Sequence, residues 1–400
     1  MDYQSQTKIP MSSPDLTDAE RQAVMEVLQT SYLSMGPRIR AFEASFCSYT
    51  GSRHALAVNS GTAGLHLCVH AAGIQPGDYV ITTPFSFVSS TNVILYEQAV
   101  PVYVDVDPLT GNIDPAQVLQ AAQDLSGSAE QAARWLPRQG ASGQGRLKAI
   151  LSVDVFGQPA DFDALQAVAD RYQLKLINDS CESLGAEYKG KKAGRLGDYG
   201  VFAFYPNKQI TTGEGGVILT DNDAAAEMMR ALRNQGRTPG DTWLDHTLLG
   251  YNYRMDELSA ALGLAQMQRL DELIAKRQQV AAWYHHHLAA VAEIQPPYVH
   301  ENTTRTSWFV YVVRLAEGFE RREVIARLAR EGIPVRPYFT PIHLQPYMVQ
   351  RFGYRQGDFP ITEDLGTRGM ALPFSSVMSE EQVQTVCAAL KDVLAARPSG

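Results

Sequence analysis

Three short stretches hold residues whose types and spacing can do chemistry. The first is FAFYPNKQITTGEGG (202–216), which sets Lys208 between an apolar aromatic run and a turn with three glycines. An amine there is either a surface side chain whose stem lies on apolar neighbours, or a desolvated nucleophile that can form a Schiff base with a carbonyl. The second is LKLIND (174–179), an apolar run that ends on Asp179. A carboxylate at a strand end either caps the next helix or faces a ligand, where it can hold a protonated ring nitrogen. The third is HALAVNSGTAGLHLCVHAAG (54–73), which reads as a strand, then Ser60-Gly61-Thr62, then a helix with small residues in its first turn. Its hydroxyls are either an ordinary N-cap or, with the free N–H groups and the helix dipole, a seat for a phosphate dianion.

Taken in chain order, a phosphate seat, a strand-end aspartate and a loop lysine are what pyridoxal 5'-phosphate (PLP) requires: anchor, pyridinium partner and amine. An aromatic ring stacked on the cofactor would complete the set. Phe87 in TTPFSFVSSTN is the candidate, against the alternative of a core phenylalanine.

These residues need a scaffold, and the rest of the chain provides one. With 400 residues, 45% hydrophobic and 20% charged, the chain can bury one large core and a smaller one. The net charge of −8 comes without a basic block, which argues against nucleic-acid binding. β-rich runs at 79–85, 100–106, 148–157 and 174–179 alternate with helical patterns such as 161–173, as expected of an α/β protein with a mostly parallel sheet. Residues 253–291 read as one long or one bent helix. A strand over 308–315, a helix over 321–332 and a helix over 379–396 capped by Ser379 then give a smaller α+β domain. The expected division is 1–254 and 255–400. The Gly-, Ser- and Gln-rich segment 124–148 is expected to be an exposed insertion or long loop.

The polar N-terminus and the lack of an 18-residue apolar run lead to the expectation of a soluble, cytoplasmic protein without membrane contact. Four dispersed cysteines suggest reduced thiols. The three histidines at 285–287 face different directions on a helix, so no metal site is expected.

The sequence resembles the DegT-type sugar-nucleotide aminotransferases of PLP fold type I. The likeness runs through SMGPRIRAFEASF, VNSGTAGLHL, VDVFGQPADFDAL, NDSCESLGAEYKG, FYPNKQITTGEGGVILTDN, LGYNYRMDELSAALGLAQM, RPYFTPIHLQPYM and ALPFSS. It implies a large domain with a seven-stranded, mostly parallel sheet, with Lys208 as the Schiff-base lysine and Asp179 as the pyridinium partner. Phe87 would stack, while Gly61 and Thr62, with Ser60, would bind phosphate. Asn252, in the G-x-N-x-R motif that ends at Arg254, would cross to the neighbouring subunit's phosphate in an obligate homodimer. Arg237, Arg336, Tyr338 and His343 would lie near the pocket mouth and bind substrate, though each arginine could equally serve a surface ion pair.

By the same resemblance, glutamate would leave its amino group on the cofactor, giving pyridoxamine 5'-phosphate and 2-oxoglutarate. A nucleotide-linked keto sugar, a 4-keto-6-deoxy or 3-keto hexose, would then take the amino group. Two departures stand out. Ala203 occupies the place, five residues before the lysine, where the family usually has a phosphate-binding serine. Glu182, counted among the cofactor contacts, replaces the more usual Gln or His and points toward perosamine-synthase-like members. Two other readings remain: a dehydratase of the same family, which would carry histidine at position 208, and a cofactor-free binding module, with Ala203 as its first sign.

Overall fold

The protein is described here by a computed structural model covering residues 9–238, 240–242 and 244–396. At its centre are seven strands: β1 (His54–Val58), β2 (Tyr79–Thr82), β3 (Val100–Tyr103), β4 (Leu147–Val153), β5 (Lys175–Asp179), β6 (Tyr199–Ala203) and β7 (Gly216–Thr220). They form one sheet in the order β1-β7-β6-β5-β4-β2-β3, and only β7 runs antiparallel to its neighbours. Most of their residues are buried on both faces, which is why the sequence shows continuous apolar runs rather than alternation.

This topology brings the chemical residues to one edge. Val153 pairs with Asp179 and Asp179 with Val201, while Gly216 lies between Val58 and Ala203. The carboxyl ends of β1, β5 and β6 therefore converge with the start of β7. The chain after β1 enters helix Gly61–Ala71, and the β6–β7 connection carries Lys208. Such an edge is where open α/β sheets bind ligands.

Helix Gly61–Ala71 is buried almost all round, from Gly61 to Val69. Its glycines allow that depth: a Cβ on Gly64 would lie 2.8 Å from Val201, and one on Gly61 would lie 2.6 Å from the Ala203 Cβ. Substituting either would push the helix N-terminus off the sheet edge.

The second sheet has four antiparallel strands, in the order Ile294–Gln295, Tyr311–Leu315, Gly369–Leu372, Arg336–Pro337. Helix Glu380–Ala395 packs beneath it, started by a capping box in which Ser379 accepts from the Gln382 N–H. The stretch expected as one long or one bent helix is two helices, Glu257–Gln268 and Leu270–Leu288, broken at Arg269. Arg269 pairs there with Asp15, Glu20 and Glu272 at 3.0, 2.9 and 3.0 Å. The second helix links the two sheets. Leu270, Leu273 and Ile274 pack with Phe42 and Phe204 against the large sheet, whereas Val280, Tyr284 and Leu288 pack with Tyr311 and Leu390 under the small one.

Segment 124–148 is more ordered than a plain loop. Ser128 caps a short helix, Ala129–Ala133, Trp135 donates to Asp124 (2.9 Å), and Arg138 grips Asp358. Glycine-rich composition hid these anchors, all of which are side chains outside any periodic pattern.

Candidate active site

A cleft of about 1010 Å³ opens at the converging edge. Lys208 and Asp179 both line it, as do Ser60, Gly61 and Thr62 at the helix N-terminus. Phe87, Glu182, Arg336 and Tyr338 line it too. Phe87 is 62% exposed, so it is no core residue and its ring is available to a ligand.

The Lys208 side chain is only 14% exposed. Its Nζ lies 3.8 Å from the centroid of the Phe309 ring and 3.8 Å from Glu182 Oε1. The main chain beneath it is held by Arg277, which lies at the middle of helix Leu270–Leu288 and is 2% exposed. Its guanidinium donates to the carbonyls of Lys208 (2.6 Å), Asn207 (3.4 Å), Trp308 (3.1 Å) and Phe309 (3.2 Å). Burial lowers the Arg277 pKa to about 10, which still leaves it cationic at neutral pH. One buried side chain thus ties the amine's loop to the segment that places Phe309 under it.

Asp179 is nearly buried and oriented by two donors, the Ser90 hydroxyl to Oδ2 (2.7 Å) and the Cys181 N–H to Oδ1 (3.2 Å). Ser86 pairs in turn with Ser90 at 2.9 Å. Fixed on one side by these contacts, the carboxylate lines the cleft with no salt-bridge partner among the described residues.

Glu182 receives the Phe156 N–H at Oε2 (2.9 Å). Burial raises its carboxyl pKa to about 7, with nearby Lys208 opposing that rise. To deliver that N–H, Phe156 takes a left-handed φ of +58°, and Trp308, next to Phe309, takes +52°. Such conformations cost about 1–3 kcal/mol each and persist where surrounding structure enforces them, commonly at functional sites.

A pH dependence of stability follows. The folded chain keeps the Glu182 proton up to about pH 7, whereas the unfolded chain releases it near the ordinary value of 4.5. Stability of the cofactor-free protein should therefore fall as pH rises through that window and level off above it. Glu182→Gln should flatten the fall between pH 6 and 7, raising stability at pH 8 by at most about 3 kcal/mol. The slope left below pH 6 belongs to buried Asp154, whose carboxyl is also raised, to about 6. Thermal unfolding of both proteins from pH 4.5 to 8 checks this; parallel curves would refute it.

Not every expected site residue reaches the cleft. His343 is a correction: it is wholly buried, bonded through Nε2 to Glu363 (2.9 Å) and packed edge-on against Phe359, and it does not line the cleft. The family resemblance implies a place near the pocket mouth, but in its short 3-10 turn, Ile342–Leu344, the ring is buried. Arg237 and Asn252 lie outside the cleft of their own chain, on a segment where Asn234 bridges to Asn252. Asn252 is exposed and its carbonyl accepts from Asn59 Nδ2 (3.2 Å).

Ser90, Phe309 and Arg277 escaped the sequence reading. A serine two residues into a helix, an aromatic residue in a strand-like run and an arginine in a long helical pattern carry no local mark of a site. No group of three or more metal-binding side chains occurs among the described residues.

A buried, oriented carboxylate, a shielded amine and a glycine-cradled helix N-terminus on one edge of a seven-stranded α/β sheet suit the ring nitrogen, the aldehyde and the phosphate of PLP. Together they define a PLP-dependent transferase of fold type I. The chain belongs to the DegT/DnrJ/EryC1/StrS aminotransferase family, which it matches over residues 14–391. It is 39% identical to the GDP-perosamine synthase of Caulobacter vibrioides over 391 residues, 97% of this chain and 98% of that one. Helicobacter pylori PseC, an aminotransferase involved in the biosynthesis of pseudoaminic acid, superposes with a TM-score of 0.86 at 26% identity, covering 97% of this chain and 100% of PseC. Streptococcus pneumoniae Spr1654, solved in a PLP form, gives a TM-score of 0.85 at 25% identity over 96% and 98% of the two chains. The protein is thus a PLP-dependent aminotransferase.

Proposed function

We propose that the protein transfers the amino group of L-glutamate to a nucleotide-linked keto sugar, with a GDP-linked 4-keto-6-deoxy hexose as the favoured acceptor. The observation that carries this reading is the meeting of Lys208, Asp179 and the Ser60–Thr62 helix start in one cleft. The acceptor is suggested by the 39% identity to a GDP-perosamine synthase together with Glu182. An apolar wall of Phe309, Val310, Phe339, Leu372 and Phe374 also suits a sugar with a methyl group at C6.

When bound, PLP supplies an aldehyde that receives the amino group and a protonated ring that draws off electron density. The protein's part is to bind, orient and move protons. Asp179 would hold the ring nitrogen protonated, while the Gly61 and Thr62 N–H groups and neighbouring hydroxyls would neutralise the phosphate. Phe87 would cover one ring face. The Lys208 amine, screened by Phe309 and held from below by Arg277, would carry the proton from the donor's Cα to the cofactor's C4' in the first half of the reaction and from C4' to the acceptor carbon in the second. Arg336, exposed at the cleft, would receive a substrate carboxylate or diphosphate, with Tyr338 beside it.

The working unit in this reading is a homodimer. Asn252 is exposed and lies off its own chain's cleft, which suits a residue given to a neighbour's phosphate seat, with Arg237 on the same segment. A fully active monomer in sedimentation would overturn this part. Among the described residues no helix is long and apolar enough to cross a membrane.

The test is to incubate the holoenzyme and L-glutamate with GDP-, UDP- and dTDP-linked 4-keto-6-deoxy sugars and follow amino-sugar formation by mass spectrometry. Amination of GDP-4-keto-6-deoxymannose with release of 2-oxoglutarate is expected. Conversion of only a UDP or dTDP sugar would overturn the GDP assignment, and conversion of none would overturn the sugar reading.

A further inference from the structure

We propose that Ser89 is a phosphate-binding residue of the cofactor site, and that its hydroxyl, paired with Thr62, supplies the donor that Ala203 cannot. The inference rests on the reading of the cleft as a PLP seat.

Two helices start at this end of the cleft, Gly61–Ala71 and Ser89–Tyr96, and each has a hydroxyl residue within its first two positions, Thr62 and Ser89, that lines it. Thr62 Oγ1 and Ser89 Oγ are 2.9 Å apart. Two hydroxyls carry two protons, and their mutual bond uses one. The other is left to point at an acceptor in the cleft. Ser60 Oγ accepts the Ala63 N–H (3.1 Å) as an N-cap, which holds its oxygen at its own helix start and leaves its own proton free to donate, so the Thr62–Ser89 pair adds a donor to Ser60 rather than replacing it. Ser90, the next residue along, is committed to Asp179.

The second helix has no side-chain cap at Val88, and its Ser90 and Thr91 N–H groups bond the Phe87 and Val88 carbonyls (3.4 and 3.2 Å), so the donor this helix start brings to the cleft is the Ser89 hydroxyl. Opposite, the end of β6 presents only the Ala203 methyl, beside Gly61 and also lining the cleft. A dianion seated on the Gly61 helix would thus meet a methyl group on one side and the Thr62–Ser89 pair on another. The pair is the side that can donate.

The geometry also indicates how to separate a phosphate contact from general damage. Position 203 faces the same helix start, so a hydroxyl introduced there would enter the seat from the other side.

The test titrates cofactor-free protein with PLP and, separately, with pyridoxal, which has the aldehyde and ring but no phosphate, following absorbance and Lys208 labelling by borohydride. Ser89→Ala should weaken PLP binding about 10- to 100-fold, the range for losing a hydrogen bond to a charged group, and leave pyridoxal binding unchanged. Adding Ala203→Ser to Ser89→Ala should recover much of the loss. Inorganic phosphate should compete with PLP less well in the Ser89→Ala protein than in the unaltered one.

If Ser89→Ala binds PLP as tightly as the unaltered protein, or loses PLP and pyridoxal alike, Ser89 is not a phosphate ligand. If the unaltered protein itself fails to bind PLP, the cofactor reading falls, and with it this one. The two failures are distinguished by that first titration.

Discussion

Replacing Lys208 with alanine should reduce transamination by about 10²- to 10⁴-fold, the range for one positioned acid–base group, and should abolish borohydride labelling of the chain. The loss should fall on turnover rather than on folding. Lys208 packs on Phe309 and forms an ion pair with Glu182 at 3.8 Å, too long for a hydrogen bond, so its removal breaks that ion pair but no buried hydrogen bond of its side chain. The carboxyl left behind sits where burial already favours its neutral form, which limits the electrostatic cost. Lys208→Arg is the sharper control. It keeps the positive charge near Glu182 but offers no free amine at any working pH, so it should be as inactive as the alanine variant. If either variant retained more than about one tenth of the activity, well above what an essential acid–base group allows, the proton-transfer role would be wrong.

Substitution of Asp179 should have the next largest effect. Asp179→Asn keeps the shape and can still accept from the Ser90 hydroxyl, but it removes the charge that would pair with a ring N–H. A fall in kcat on the order of 10²- to 10³-fold is expected, comparable to losing one preorganised electrostatic contact in a screened site. Cofactor affinity should fall less than turnover, because the phosphate end is held elsewhere, and the absorbance band of the bound cofactor should shift as its ring loses a proton. Ser90→Ala should give the same spectral shift in milder form, since it frees one oxygen of the carboxylate without removing it. An unshifted spectrum in Asp179→Asn would mean that the ring nitrogen is held by another group.

Much of this site could be read in the sequence because its parts lie at element ends, where local signals are strongest. The run LKLIND stops at Asp179 because a buried strand ends where a carboxylate must meet the edge, and Ser60-Gly61-Thr62 combines a cap with the small residue that close helix–sheet packing demands. The β6–β7 connection was conspicuous for the same reason, with a lysine amid glycines after an apolar strand. What stayed hidden depends on contacts far apart in the chain. Phe309 meets Lys208 about a hundred residues away, and Arg277 reaches the same loop from mid-helix, where an arginine looks like any exposed position. Element boundaries slipped where side chains override periodicity: at Arg269, which splits a helix to meet three carboxylates, and at Trp308–Val310, which leaves strand geometry to supply carbonyls. His343 differs in the opposite way: the family resemblance implies a place at the pocket mouth, whereas its turn keeps the ring buried.

The Arg277 contacts also bear on enzyme engineering. Every acceptor they use is a main-chain carbonyl, so the guanidinium does not register which side chains occupy positions 207, 208, 308 and 309. Chimeras that splice the sugar-facing half of one relative onto the cofactor-bearing half of another should therefore keep this junction intact across mismatched parents, provided an arginine is retained at 277. Diversity in acceptor preference could be explored by such recombination without rebuilding the amine's support.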